Sequence, residues 1–289
     1  MYIDLHCHTT ASDGVLTPAE LIQKAAKLKF SHIAKTDHDN VDLMAEFIAI
    51  AKKYRITPIP GIEISSRYYK KSVHIVGLNI DWQNKKLNQY ANNCKTARKQ
   101  RALKMISKLS QHGFKINRKK INRTVIVRPH VAASVTSHQK NKHRLMQEFS
   151  HIPSPSEFIQ KYLARGCPCF VAKTFSIPAR QAIKLIKQAH GLAILAHPKS
   201  KTPEFKYNNQ FLNKLIKLPF DGIEVYASGN TQAETKYLKN LADKHNLLYS
   251  AGSDYHGIDA EYPLGICTNK KYVDAKKCQR LINKLQSII

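Results

Sequence analysis

Acidic side chains are scarce in this chain. Asp and Glu total 20 against 47 Lys and Arg in 289 residues, a formal charge of +27. That imbalance favours polyanionic partners such as RNA, DNA or phosphorylated small molecules, and it speeds their encounter. A lysine- and asparagine-rich compositional bias is the competing explanation. Long apolar runs are missing too, although the apolar fraction of 43% is ordinary for a globular protein. No stretch reaches membrane-spanning length, and Tyr2-Ile3-Asp4-Leu5 brings neither a basic leader nor an apolar signal run. No disulfide framework is legible in six cysteines at positions 7, 94, 167, 169, 267 and 278. Cys167-Pro168-Cys169 is too short for a C-x-x-C redox or zinc pattern. Buried free thiols and a reduced, cytoplasmic setting are expected. The single tryptophan, Trp82, is expected to pack under a loop.

What is present begins with a strand-then-helix rhythm from Met1 to about Lys95. Tyr2–His6 reads as the first strand. Thr17-Pro18-Ala19-Glu20 then predicts a helix start, with Thr17 as N-cap, Pro18 in the first turn and Glu20 closing a capping box. Leu21, Ile22, Ala25, Ala26 and Leu28 continue it at helical spacing. Further strands are predicted at Ser31–Thr36, Ile56–Ile59, Gly61–Ser65 and Ser72–Leu78, with a helix from about Leu43 to Tyr54. Residues 96–182 change character. They predict helices at Arg98–His112, Lys140–Phe149 and Pro155–Ala164, a basic run at Lys115–Arg123, and a helical piece after Val125–Ala133. The first rhythm returns with helix Pro178–His190, strands Ala193–His197, Gly222–Val225 and Leu248–Ser253, and helix Gln232–His245. The expected organisation is therefore an α/β barrel from residues 1–95 and 183–289, interrupted by a mostly helical lobe over 96–182 able to cap the site.

The chemistry concentrates in nine side chains. His6 and His8 lie in Asp4-Leu5-His6-Cys7-His8-Thr9, Asp13 in Ser12-Asp13-Gly14, and His38 in Thr36-Asp37-His38-Asp39. Glu63 follows in Gly61-Ile62-Glu63-Ile64, His74 in Val73-His74-Ile75, His197 in Ala196-His197-Pro198, and Asp254 and His256 in Ser253-Asp254-Tyr255-His256. Residues i and i+2 of a strand share a face, so His6/His8 and Asp254/His256 should converge as pairs while Cys7 points into the core. Every one of these positions is expected at or just beyond a strand end, where βα units carry their chemistry. Imidazole and carboxylate donors suit Mn, Fe, Co or Zn, and the lack of a thiolate argues against a closed structural zinc site. Nine donors exceed the needs of one ion. Three ions sharing a bridging carboxylate account for them, which predicts a metal-dependent hydrolase.

This set resembles the polymerase and histidinol phosphatase (PHP) superfamily of metallophosphoesterases over nearly the whole chain. The resemblance implies a distorted seven-stranded (β/α) barrel and three divalent ions, with manganese expected and Fe, Zn or Co as alternatives. It would place His6, His8, Glu63 and Asp254 on a first ion, with Glu63 bridging to a second held by His74 and His197. Asp13, His38 and His256 would hold the third. Within the superfamily the chain is similar to the nucleoside 3',5'-bisphosphate phosphatase branch, whose members also trim short RNA and RNA 5' ends. That branch carries an inserted helical domain with an arginine and a histidine that Arg128 and His130, in Val127-Arg128-Pro129-His130, resemble. Two departures stand out. Lys173 occupies the place of an expected histidine, and Lys199-Ser200-Lys201 replaces Gly-Arg-Tyr. Positive charge survives at both, but the planar, bidentate geometry of arginine does not.

The implied reaction is hydrolysis of a phosphoester by a metal-activated hydroxide, whose natural home is beside Glu63. His8, His256 or a metal-bound water would protonate the leaving oxygen. Arg128 is expected to grip a second phosphate bidentately, with His130, Lys173 and Lys199 as further substrate contacts. Glu224, ending a strand in Gly222-Ile223-Glu224-Val225, is expected either to orient a ligand histidine or to touch ribose. Phe170, Phe175 and Tyr226 are candidate base-stacking groups. The expected substrates are nucleoside 3',5'-bisphosphates and short 5'-phosphorylated RNA. A histidinol-phosphate-type monophosphatase and a non-catalytic nucleic-acid-binding module are the alternatives. The sequence leaves oligomeric state open.

Overall fold

The computed structural model describes residues 1–122, 125–199, 206–257, 263–268 and 271–287. It divides into two compact units, one formed by Met1–Ala91 with Ser176–Ile289 and the other by Asn92–Phe175. The first unit begins with β1 (Tyr2–Asp4), α1 (Pro18–Lys27), β2 (Phe30–Lys35), α2 (Met44–Lys53), β3 (Thr57–Tyr68) and β4 (Lys71–Leu78). A long helix, α3 (Lys85–Gln111), starts in this unit and ends in the second, which also holds α4 (Arg128–Thr136), α5 (Lys142–Phe149) and α6 (Pro155–Phe158). The first unit resumes with β5 (Ile177–Pro178), α7 (Ala179–Gln188), β6 (Leu192–Leu195), α8 (Asn209–Leu215), β7 (Gly222–Ala227), α9 (Gln232–Lys244), β8 (Leu248–Gly252) and α10 (Gln279–Gln286).

Seven strands follow one another as β1-β2-β3-β4-β6-β7-β8, with β5 attached to β3. The path nearly closes on itself, because the Leu5 N–H donates to Ala251 O at 2.9 Å and Cys7 bridges Tyr255 in parallel. This is the seven-stranded α/β barrel expected from the sequence. Its distortion is β4, which runs antiparallel to both β3 and β6. The predicted pieces Ile56–Ile59 and Gly61–Ser65 prove to be one strand that changes neighbour midway. Residues 57–60 pair with β2 and residues 61–68 with β4. Pro60 is tolerated because its carbonyl, accepting from Ile80 N–H at 3.1 Å, faces the β4 side. Its missing N–H is therefore not needed by the β2 ladder.

The predicted start of α1 forms as expected. Thr17 caps the helix, Glu20 reaches back to the Thr17 N–H at 2.7 Å, and Pro18 occupies the first turn. The Leu21, Ile22 and Ala25 stripe packs with Phe47 and Met44 of α2 against Cys7 and Ile33. Trp82 lies at the edge of that cluster. Among the described residues no helix is long and apolar enough to cross a membrane.

The second unit has its own core of Met105, Leu109, Phe114, Val131, Val135, Leu145, Phe158 and Tyr162. The helix predicted over Pro155–Ala164 is α6 followed by a π-helical turn, Ile159–Leu163. The wider turn lets the rings of Phe158 and Tyr162 stack with centroids 4.8 Å apart, while Phe114 meets Phe158 edge-on at 5.3 Å. Phe158 is wholly buried. Phe158→Ala should therefore lower stability by about 3–5 kcal/mol, read as a lower urea midpoint. A loss under about 1 kcal/mol would show this aromatic cluster to be loosely packed.

Candidate metal centre

The barrel brings all nine candidate side chains to one place. Past β1 and β8 the two chains stay paired, with the His8 N–H donating to Tyr255 O at 2.8 Å. That pairing sets His6 and His8 beside Asp254 and His256. The rings of His8 and His256 stack with centroids 4.1 Å apart, and His8 Nε2 lies 3.1 Å from Asp254 Oδ1. The turn after β2 is pinned to β3 by two bonds. The Asp39 N–H donates to Glu63 O at 2.9 Å, and the Glu63 N–H donates to Asp37 O at 3.2 Å. His38 Nδ1 thereby lies 2.6 Å from Glu63 Oε2.

Glu63 and His74 correct the expectation that every candidate ends a strand. Glu63 lies in the middle of β3 and His74 within β4, with Ser65 opposite His74 in the register. The β3–β4 hairpin runs on past the point where β2 stops, so interior strand positions reach the site. Glu63 is fully buried, and its Oε1 is 2.9 Å from His74 Nδ1, 2.9 Å from His197 Nε2 and 3.4 Å from His6 Nε2. Its Oε2 is 3.4 Å from His8 Nε2. Asp13 lies to one side, 3.4 Å from His256 Nε2, 3.7 Å from His8 Nδ1 and 3.8 Å from His38 Nε2. Asp254 and His256, about a third exposed at 33% and 29%, form the open side.

The donor atoms fall into three overlapping groups: His6, His8, Glu63 and Asp254; His38, Glu63 and His74; and His8, Asp13, His38 and His256. His197 adjoins the first two through Glu63. Divalent cations fit this arrangement on chemical grounds. His6 Nε2, Asp13 Oδ1 and Glu63 Oε2 are buried and make no hydrogen bond, which is costly unless a charge partner is supplied. The donors are nitrogen and oxygen only, since Cys7 is turned into the apolar core.

Electrostatics reflect the crowding. Burial pushes the Glu63 carboxyl up, yet the imidazoles of His38, His74 and His6 outweigh it and hold the group well below the usual range. Asp13 and Asp254 are likewise held well below theirs, burial being overcome by His38 and His256 for Asp13 and by His6 and His256 for Asp254. Burial drags His74 down to about 4 despite Glu63. For His256 burial acts in the same direction, but Asp13 and Asp254 prevail and raise it to about 10.

Three carboxylates stand behind the cluster, and the sequence alone assigned a role only to Glu224. Glu224 Oε1 is 2.7 Å from His6 Nδ1, and its Oε2 accepts from the His197 N–H at 2.5 Å. A carboxylate can only accept, so His6 carries its proton on Nδ1 and aims Nε2 at the site. Glu224 is only 1% exposed, and its contacts are those that fix the His6 ring and the His197 backbone. Gly252 makes this possible, because a Cβ there would stand 2.3 Å from His6 Cβ and 2.5 Å from Glu224 Oε1. Asp4 accepts from the N–H groups of Ser253 at 3.0 Å and Gly265 at 2.8 Å, tying β1 to the loop after β8. Asp37 accepts from the Thr9 N–H at 2.8 Å and the Ser12 hydroxyl at 2.6 Å, and pairs with the buried Lys35 at 2.8 Å. A visible signal existed for this last pair. Lys35 and Asp37 are opposite charges two apart, interrupting an apolar strand on one face.

The expected substrate contacts are placed as follows. Lys199 is buried, and its ammonium donates to Tyr207 O at 2.9 Å and Asn209 Oδ1 at 2.8 Å. These bonds tie it to the segment that follows. Ser200 and Lys201 lie outside the described residues, as does Arg123 of the basic run. Arg128, half-buried at the first turn of α4, His130, whose Nδ1 accepts from the Val127 N–H at 3.4 Å, and the exposed Lys173 all belong to the second unit. Phe170 and Phe175 are there too. Tyr226 is 8% exposed with the Lys277 ammonium over its ring, and is poorly placed to stack a base.

The PHP domain family model matches residues 4–276. A 5'-3' exoribonuclease of Haemophilus influenzae is 32% identical over 257 residues, covering 88% of this chain and 89% of that protein. A 3',5'-nucleoside bisphosphate phosphatase of Chromobacterium violaceum is 31% identical over 264 residues, covering 88% and 87%. The solved structure of an amidohydrolase from Chromobacterium violaceum superposes with a TM-score of 0.81 at 27% identity, covering 100% of this chain and 97% of that one.

Two measurements test the centre. Glu224→Gln should weaken Mn2+ binding by about 10- to 100-fold, since the group that orients His6 is lost; an unchanged isotherm would remove Glu224 from the site. Because His256 is raised to about 10, it is protonated at neutral pH and a cation must displace that proton. Mn2+ affinity should therefore climb as pH rises from 6 to 9, with proton release on binding. A pH-independent affinity would contradict this.

Proposed function

This chain belongs to the PHP domain family and is a metal-dependent hydrolase, and from that premise we propose that it removes the 3'-phosphate of nucleoside 3',5'-bisphosphates. The product is a nucleoside 5'-monophosphate, and the same centre is proposed to trim short 5'-phosphorylated RNA from its 5' end. Removing a 3'-phosphate and cutting the next phosphodiester are the same displacement at phosphorus, with the 3' oxygen leaving in both and only the chain retained on phosphorus differing. Support for the paired activities comes from relatives about 30% identical over most of their length, one named for each reaction.

The observation that carries the reading is the buried Glu63 carboxylate shared by two of the three donor groups. Such an arrangement suits a cluster of cations rather than one ion. We propose three, on the partition His6, His8, Glu63 and Asp254; Glu63, His74 and His197; and Asp13, His38 and His256, with manganese as the expected metal. When bound, divalent ions neutralise phosphoryl charge and lower the pKa of an attacking water. The chain's own residues do the rest. Asp254 and His256 border the open side, where a phosphoryl group would enter. His8, a water at the centre, or His256 where a cation does not claim its proton, is the proposed proton donor to the leaving oxygen, a general-acid role that ordinarily contributes about 10²–10⁴ in rate. No serine or cysteine nucleophile is required. Arg128, with His130 and Lys173, is proposed for the second phosphate on the chemistry of guanidinium alone.

The test is turnover of a nucleoside 3',5'-bisphosphate, a nucleoside 5'-monophosphate and histidinol phosphate by Mn2+-loaded protein, with Asp13→Ala as the metal-depleted control. Phosphate release should be fastest with the bisphosphate and leave the 5'-monophosphate. Equal rates on all three would refute the assignment.

A further inference from the structure

The hairpin that supplies Glu63 and His74 ends in an unusual turn. Tyr68 pairs with Lys71, leaving Tyr69 and Lys70 as its two turn residues. Tyr69 has φ 52°, in the left-handed region where two-residue hairpins favour Gly, Asn or Asp. Its ring is nonetheless 78% exposed. A large aromatic is thus held in a disfavoured backbone conformation without burying its surface, so stability of the turn does not explain it.

The surroundings are aromatic and basic. Tyr68 meets Tyr69 edge-on at 4.7 Å and Phe211 of α8 at 5.7 Å, and the Lys71 ammonium lies 5.0 Å above the Phe211 ring. Tyr68 is also bonded to the Lys214 carbonyl at 3.3 Å and feels the charge of Arg180. Arg67, Lys70, Lys71 and Lys214 are exposed, and no ion pair among the described residues engages them. An exposed ring, Tyr69, backed by the half-buried Tyr68 and Phe211 and flanked by these cations without ion pairs, suits single-stranded nucleic acid, where rings stack bases and cations track phosphates. The location also fits. His74 is three residues from Lys71, which is about 10 Å along a strand, so the tip stands beside the metal centre on the same rigid hairpin.

We propose that the β3–β4 tip, Tyr69 with Arg67, Lys70 and Lys71, is a docking surface for single-stranded RNA that holds nucleotides of the substrate away from the reacting end. This rests on the nucleotide-phosphoesterase reading above. It adds a reason for one centre to handle a chain as well as a mononucleotide, since only the chain reaches the tip.

The informative variant is Tyr69→Gly, which removes the ring while relieving the backbone. Affinity for a 5'-phosphorylated single-stranded octaribonucleotide, measured by fluorescence anisotropy in the Asp13→Ala background, should fall about 5- to 150-fold, the range for losing one stacked base. Thermal stability should hold or rise, and Tyr69→Phe should keep the affinity. KM for RNA should increase while kcat/KM for the nucleoside bisphosphate stays within about twofold. Lys70→Glu with Lys71→Glu should flatten the salt dependence of binding by about 0.7 per lost phosphate contact. An unchanged RNA affinity in Tyr69→Gly overturns the surface, as does an equal loss for duplex RNA, which would mark a nonspecific polyanion patch. Because binding is read without turnover, a parent protein inert toward every phosphoester would defeat the proposed reaction and still leave this result legible.

Discussion

A single carboxylate, Glu63, sits wholly buried among the imidazoles of His6, His8, His38, His74 and His197, and the first unit is organised around tolerating that crowding. Five imidazoles crowd one carboxylate, whose two oxygens cannot accept from all of them. Burying charge without a partner costs several kcal/mol per group. The barrel lowers the cost from behind. Glu224 holds His6 and the backbone of His197, while Asp37 gathers Thr9 and Ser12 around the strand end that presents His8. Remaining donor capacity points inward, where only cations can use it.

The distorted barrel follows from the same requirement. A purely parallel (β/α) barrel offers residues to its active face only at strand ends. Here β3 leaves β2 at Gly61 and continues antiparallel to β4. That exchange lets Glu63 and His74 project from within strands whose backbones are fully paired, giving the shared carboxylate a stiffer mount than a loop would. Two other donors are held by conformation. His197 and Asp254 both have positive φ, at 27° and 56°, a strained state that persists only where surroundings over-determine it. The Glu224 contact to the His197 N–H and the pairing around Tyr255 provide that restraint.

Much of this was legible in the residues, and the exceptions share a cause. Residue type and the i, i+2 spacing were enough to group His6 with His8 and Asp254 with His256, because alternation on an extended chain is a local rule. The capping box at Thr17 and Glu20 was equally local. What local rules could not supply was partner exchange. Pro60 falls in the gap between the two predicted pieces of β3, although its missing N–H is not needed by the β2 ladder. The bonds from the Lys199 ammonium to Tyr207 and Asn209 were not visible from its place after His197-Pro198. The 27-residue α3 was seen only from Arg98 onward, although Leu87, Tyr90, Ala91 and Cys94 form a buried stripe at helical spacing along its first turns. Asp4 serves the site through bonds to Ser253 and Gly265, 249 and 261 residues away, which spacing does not reveal, whereas the opposite charges of Lys35 and Asp37, two apart, were a readable signal.

The scarcity of acid and the richness of the site in acid are one arrangement. Asp4, Asp13, Asp37, Asp39, Glu63, Glu224 and Asp254 are seven of only 20 acidic residues in the chain, and all lie in or directly behind the centre. The remaining surface is correspondingly more basic than the net charge of +27 suggests. A polyanion approaching this protein is attracted by the exterior and would be repelled by the bare carboxylates within. Cations at the centre reverse that second sign. Bound cations would thus do more than activate water, since they bring positive charge to a carboxylate-rich centre and let a phosphate rest there. The dependence of substrate binding on metal then follows from charge distribution, before any chemistry at phosphorus begins.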